Sequence, residues 1–488
     1  MARDPEIIVV GASLDGLAAA CTLARRGHRV LVLEEDPRRP GAGAGTSSPL
    51  RAGFLHDDGP TFFPLALLRG ITALRLERHG LDWCRAEVEC VHLLSGDEAA
   101  VLAADEQRTA RSLGAADEPR WRALLAWYRS VEEPLLDALL APGLDVRRLS
   151  RLGVSDAWRA LRRFGGTGGG LARPALEGAT GGRLVAQLGL GRDGRARPGR
   201  GLALALAVAT RGVATPRGGV ISLVNALVTC LEAQGGRLHL GARVEELLTE
   251  GRRAVGVRLV DRDELRASCA ILVEQRRAAS LLSAPAAPSA HRLPAASDQS
   301  SRRPGRARRL DWSLAYGVPW QHDAARESAL VHLATPDAAA APGAPGRGLS
   351  SQAEAGSLVL AQASGVDDLR APAGFHTLWG YHVHPEGGGE EPRGDDELAA
   401  WLEARIEAFA PGFRQAILER RVTSPPPRDP GDPAGGTRVG FGLVGGAPPR
   451  RSVAGLYTYA VPDGDGLAAH GESGCLAAAA VSRDARGR

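Results

Sequence analysis

The amino-acid sequence predicts an α/β protein. One domain is organised on a parallel sheet and assembled from separated stretches of chain, and an α+β domain is inserted between them. Three observations carry this expectation. The chain opens on a strand, a glycine turn, a helix and a second strand, together spanning about 30 residues, the size of a βαβ unit. The same texture returns after Pro216 and again near the C-terminus. Two stretches of different character separate these three, one dominated by helical periodicity, the other by strand-like runs between Pro- and Ala-rich segments.

The elements follow in order. Pro5–Gly11 holds a short apolar run ending in glycine, as a buried parallel strand should read. Residues 14–26 place Leu14, Leu17, Ala18, Cys21, Leu23 and Ala24 at helical spacing, closed by Arg25, Arg26 and Gly27. Val30–Leu33 is a second apolar strand that ends at Glu34. Helical patterns are expected from about 100 to 164, and a glycine-rich loop with a short helix over 165–201. Beyond Pro216 come a helix over 221–234, a strand over Arg237–Leu240, a hairpin of Ala254–Val260 with Glu264–Cys269, and a strand over Ala270–Val273. Further strands are expected at Leu310–Tyr316, Ser357–Ala363 and His376–Val383, a helix at Asp396–Phe409, and a strand, a glycine-containing loop and an Ala-rich helix after Gly455. The segments 283–309, 336–356 and 424–437 read as Pro-, Gly- or Ala-rich loop. The expected division is 1–99, 215–282 and 425–488 for the sheet domain and 100–214 and 283–424 for the inserted one.

Length and composition bound the function. At 488 residues the chain is about three times the soft prior for one domain, enough for two packed units. Hydrophobic residues make up 44% and charged residues 24%, which excludes wholesale disorder. The longest apolar run, Leu202–Ala209, is far short of a bilayer span. No basic leader with an apolar core opens the chain, so a soluble, cytoplasmic protein is expected. The net charge of +4, from 60 basic and 56 acidic residues, does not advertise nucleic acid. The sequence contains no lysine, which removes lysine from any mechanism as base, nucleophile or cofactor-facing ammonium. Cys21, Cys84, Cys90, Cys230, Cys269 and Cys475 are scattered without a C-x-x-C pair and read as reduced core residues.

The turn Gly11-Ala-Ser-Leu-Asp-Gly16 meets the dinucleotide fingerprint at its first and third glycines, with Ser13 in the middle position. The first glycine allows the tight turn, the third lets helix and strand pack closely, and the helix N-terminus offers amides to a phosphate. Glu34 stands where a carboxylate can accept from an adenosine ribose, which disfavours a 2′-phosphate and hence NADP. The fingerprint alone leaves FAD, NAD and an empty structural unit open.

Taken together, the ordered segments resemble the phytoene desaturase-related FAD oxidoreductases, within the amine oxidase-like flavoproteins. The segments are Ile7–Glu34, Arg39–Gly43, Gly53–Gly59, Leu76–Trp83, Pro216–Gly219, Gly235–Glu245, Leu310–Trp320, Arg370–Tyr381, Ile406–Phe413 and Gly455–Gly474. The resemblance implies a Rossmann-like FAD domain built from separated segments, with an α+β substrate domain roofing a hydrophobic path to the flavin. It places Gly11, Ser13 and Gly16 at the pyrophosphate, Glu34 on the ribose, and Arg39, Gly41 and Gly43 in the loop beside the pyrophosphate. Val244 would reach the adenine through its backbone, while Asp57, Gly59, Gly466 and His470 would lie nearer the ring. The implied activity is hydride removal from a carbon of an isoprenoid, carotenoid-like or lipidic substrate, with no catalytic side chain singled out.

The sequence departs from this pattern at Ser13, at Ala42, at Gly45 where an arginine is usual, and in Pro462–His470, where Asp463 and Asp465 add charge. Those departures support a second reading, a cofactor-free descendant that keeps the fold as a binding or scaffold protein. His382 and His384 share a strand face but lack a third ligand, so no metal is expected. The arginines between Arg302 and Arg309 suit peripheral attraction to anionic lipid better than nucleic acid.

Overall fold

The computed structural model describes residues 4–41, 44–95, 97–140, 146–164, 175–189, 197–275, 277–278, 281, 306–333, 357–384, 394–423, 453–459 and 469–486. Two main sheets organise the chain. The first is five-stranded, in the order Arg237–Leu240, Val30–Glu34, Ile7–Val10, Ala270–Glu274 and Leu456–Tyr459. Every pairing in it is parallel. Its three central strands are buried along nearly their whole length, as a parallel sheet covered on both faces requires. One face packs against the helices Leu14–Ala24, Val220–Ala233 and Glu472–Arg486. The other packs against a three-stranded meander, Val244–Glu250, Arg253–Leu259 and Glu264–Arg266.

The second sheet has seven strands. Their order is Ile417–Thr423, Arg306–Leu314, His376–His384, Ser357–Ala361, Ser328–Leu333, Val88–Leu93 and Ala99–Ala103. One face lies on the helix Asp395–Phe409 through Leu398, Leu402 and Ile406. The opposite face lies under the helices Glu118–Leu139, Ala179–Leu188 and Pro198–Arg211.

The expected domain boundary at 99/100 cuts through a paired unit. Val88–Leu93 and Ala99–Ala103 form an antiparallel hairpin within the seven-stranded sheet, so the chain leaves the first sheet's domain before Val88. Ala99–Ala103 is therefore strand where helical periodicity was expected. Its alternate side chains serve two cores, Ala100 and Leu102 one, Ala99 and Val101 the other, and a run buried on both faces has no helical or strand period to read. The chain re-enters the first sheet at Arg237 and again at Leu456.

Among the described residues, no helix is long and apolar enough to cross a membrane. All six cysteines are free thiols.

Candidate functional site

The fingerprint turn sits at the carboxyl end of the parallel sheet, where open α/β sheets place their ligands. Gly11 has φ +96°, a conformation an L side chain rarely adopts. Gly11 N donates to Leu33 O at 2.8 Å. Ser13 caps the following helix, its Oγ accepting from Gly16 N at 3.2 Å. Among the described residues, no acceptor meets the amides of Leu14 and Asp15, which leaves them available to an anion. A Cβ at Gly16 would fall on the carbonyl of Gly11 and within 2.8 Å of Tyr459 Oη. Tyr459 is fully buried and donates to Val10 O at 2.8 Å, so the C-terminal strand clamps the turn from behind. Gly16→Ala is expected to cost about 1–3 kcal/mol, because overpacking displaces backbone. A thermal melt matching that of the unchanged protein would show instead that the turn has room.

Glu34 is buried at the end of its strand. Its Oε2 accepts from Ala12 N at 2.8 Å and its Oε1 from Asp36 N at 3.0 Å. Each oxygen keeps a second lone pair for a sugar hydroxyl. Gly41, at φ +85°, donates to Ala12 O at 2.9 Å and so docks the next loop against the turn. Arg39 pairs with Asp58 at 2.8 Å across Gly45 and is exposed. A turn of tight glycines, a helix N-terminus and a terminal carboxylate on one sheet edge fit the adenosine diphosphate half of a dinucleotide.

Asp57 does something other than face a ligand openly. Its Oδ1 accepts from Thr46 Oγ1 at 2.6 Å and from Val220 N at 2.9 Å. Its Oδ2 accepts from Arg370 at 2.7 Å. Arg370 is 1% exposed, and it also donates to Asp367 and to Thr215 Oγ1, each at 2.8 Å. Asp367 in turn accepts from Gly218 N at 2.8 Å. Asp57 is thus the hub of a buried ionic network that joins the segments around 46–57, 215–220 and 367–370. The resemblance placed it near a flavin ring; its two oxygens are committed to protein partners.

Beside it, Gly59 O accepts from Arg309 at 3.4 Å. The Arg309 guanidinium lies 5.2 Å from the centroid of the Trp379 ring and donates to Asp311. Asp311 also receives Arg421 at 3.1 Å, and His56 Nδ1 lies 3.4 Å from it. Burial opposes its charge, yet His56 and Arg309 hold its carboxyl below the ordinary range. His56 is buried and its Nε2 has no partner.

The remaining expected residues fall as follows. Val244 is buried and its carbonyl accepts from Arg277. His470 is buried edge-on to Phe63, with ring centroids 5.5 Å apart and Nε2 unpartnered. Burial pushes its pKa down to about 4, which keeps it neutral. Gly43 and Gly466, with the rest of 460–468, lie outside the described residues. The structure adds Asp15, whose Oδ1 accepts from Gly474 N at 3.2 Å at the start of the C-terminal helix. Asp15 stood inside the quoted turn and could have been singled out. Arg370 and Tyr459 stood inside segments that carry the resemblance, but their pairings, like that of Asp367 with Gly218, had no local signal, because those partners lie between about 150 and 450 residues away.

Comparison with known proteins follows the same lines. A model of the NAD(P)-binding Rossmann-like domain matches residues 9–67. Hydroxyneurosporene desaturase of Cereibacter sphaeroides is 31% identical over 288 residues, 53% of this chain and 53% of that protein. The desaturase of the same name from Rhodobacter capsulatus is 29% identical over 293 residues, 53% and 54% of the two chains. The match thus spans about half the length of these curated relatives. Among solved structures, a putrescine oxidase with redesigned cofactor binding superposes with a TM-score of 0.57 at 15% identity, covering 99% of both chains. An oxidoreductase from Methanosarcina mazei superposes with a TM-score of 0.54 at 18% identity, covering 98% of this chain and 99% of that one. At such identities the likeness is one of fold.

Proposed function

We propose that the chain, which is similar to the phytoene desaturase-related members of the amine oxidase-like flavoproteins, is an FAD-dependent oxidoreductase that dehydrogenates a hydrophobic, isoprenoid- or lipid-like substrate. The observation that carries the proposal is a juxtaposition. The Asp57–Gly59 segment meets one end of a broad apolar sheet face roofed by helices, and Gly41 ties the loop leading to that segment to the dinucleotide turn. When bound, FAD supplies the two-electron acceptor. The chain's own part is to hold and shield. Glu34 would accept from the ribose, and the amides of Leu14 and Asp15 would receive the pyrophosphate. Trp379 and Tyr381, on the strand next to Asp311, would exclude water from an apolar chain. His56 Nε2 would take the proton that leaves with the second C–H bond. With no lysine in the sequence, no ammonium takes part, which disfavours an amine substrate of the kind the putrescine oxidase name implies.

The test is an FAD titration of the purified protein, followed by absorption spectroscopy after desalting. Retained flavin bands are expected, and Glu34→Ala should weaken binding by about tenfold, the value of one charge-assisted hydrogen bond. A folded protein that stays colourless would overturn the proposal. It would favour the second reading, a cofactor-free binding protein, which the buried carboxylate of Asp15 behind the phosphate-facing turn supports.

A further inference from the structure

The helix Val154–Phe164 is anchored on one side and bare on the other. On its inner side Ala160 and Phe164 are buried in the apolar layer that roofs the seven-stranded sheet. Phe164 stacks on Trp127 with ring centroids 6.2 Å apart, and Trp127 Nε1 donates to Asp156 at 2.9 Å. These contacts dock the helix on the long helix Glu118–Leu139 and so fix which of its sides meets solvent.

That outer side is apolar along its centre. Val154 is 91% exposed, Trp158 60% and Leu161 38%, at i, i+4 and i+7, the spacing of a single helical stripe. Among the described residues, no other helix exposes a large apolar side chain. Single exposed apolar residues are ordinary, whereas a contiguous group on a rigid element marks an interaction surface.

Charge adds the second half of the argument. Arg159, Arg162 and Arg163 flank the stripe, and the helix has one acid, Asp156. Asp156 is held by Trp127 and lies 3.8 Å from Arg159. Among the described residues, no carboxylate pairs with Arg162 or Arg163. Burial, with the charges of Arg159 and Arg162 adding to it, pushes the Arg163 guanidinium below its ordinary range, so the positive charge here is uncompensated. A second copy of the chain docked face to face would set these arginines against their own counterparts. An anionic bilayer satisfies both parts of the surface: headgroups take the guanidiniums, an indole rests at headgroup depth, and aliphatic side chains reach the acyl boundary.

We propose that the helix Val154–Phe164 docks the protein on the surface of an anionic lipid bilayer, lying in the plane of the interface with Val154, Trp158 and Leu161 inserted and Arg159 and Arg162 at the headgroups. The inference stands apart from the oxidoreductase reading, because it concerns an outer face and needs no cofactor. It also places lipid contact elsewhere than the sequence did. Arg302 and Arg303 lie outside the described residues, and Arg309 is turned onto Asp311 and Trp379.

The test is flotation of the 488-residue chain with vesicles of phosphatidylcholine, alone or with about 30% phosphatidylglycerol. Partition into the anionic vesicles is expected to exceed that into the neutral ones by about tenfold and to be lost at about 0.5 M sodium chloride. Trp158→Ser/Leu161→Ser should weaken partition by about tenfold, through the apolar area withheld from the bilayer. Arg162→Gln should weaken it by about fivefold, the worth of one basic side chain near an anionic surface. Both variants change exposed side chains and should melt with the unchanged protein; if one fails to fold, the other and the salt dependence still decide. Absence of flotation, equal partition into both vesicles, or partition that neither variant weakens would overturn the proposal. So would a dimer in sedimentation that Trp158→Ser/Leu161→Ser abolishes, since the face would then belong to a second copy.

Discussion

Replacing Arg370 with methionine is expected to destabilise the protein by about 3–5 kcal/mol, the usual cost of removing one partner from a buried ionic network. Arg370 neutralises two carboxylates that have no access to water, Asp57 and Asp367, both at most 1% exposed. Its third donor holds Thr215. Without it, two anions remain in a site that cannot hydrate them. Asp57 also secures the start of the helix Val220–Ala233 through Val220 N, so the damage should spread into the first sheet's helical layer. Arg370→Lys should rescue little, because one ammonium cannot reproduce a planar fork directed at Asp57, Asp367 and Thr215 at once. Urea unfolding of both variants checks this. A midpoint close to that of the unchanged protein would mean that the network is not a principal tie between the three segments.

Asp15→Asn is expected to change stability little below about pH 4 and to make the protein increasingly more stable than the unchanged one as pH rises toward 7. Burial is the main cause of an Asp15 pKa raised from its ordinary 3.8 to about 7. The amides of Gly471 and Gly474 oppose the shift, and the charges of Glu472 and Glu274 add to it. A carboxyl whose pKa is higher in the native than in the unfolded state binds more protons when folded. Stability is therefore greatest at the acid end of the window from 3.8 to about 7 and declines as pH rises through it. The decline is at most on the order of 4 kcal/mol, from the pKa difference at 1.36 kcal/mol per unit. Asparagine retains an oxygen for Gly474 N and has no charge to bury. Urea unfolding at pH 4, 5.5 and 7 should show the two proteins diverging as pH rises through that window. Parallel curves would mean that Asp15 is already ionised without penalty when folded. The same substitution should help an anionic pyrophosphate at the turn, since Asp15 lies in the first turn of the helix whose N-terminus would face it.

The sequence by itself determined the α/β class and the dinucleotide turn. A strand, a tight glycine turn, a helix and a second strand ending in Glu34 are local facts, written in period and in backbone permissiveness. The helix Val220–Ala233 and the strands Arg237–Leu240 and Ala270–Glu274 were legible for the same reason. The return of this texture at three places also foretold a sheet assembled from separated segments, though not the point at which the chain leaves it. That point is decided by the pairing of Val88–Leu93 with Ala99–Ala103 and with Ser328–Leu333, and neither period nor composition encodes a partner more than 200 residues away.

Only the tertiary structure could decide which polar residues are spent on structure and which remain unmatched. Asp57 reads as a ligand-facing acid until Arg370 is found against it. His470 reads as a ring-facing group until burial against Phe63 leaves its Nε2 without a partner. Hydrogen bonding and desolvation depend on what surrounds an atom in three dimensions. Residue type and spacing report the group's chemistry, and the fold alone sets whether that chemistry is already satisfied.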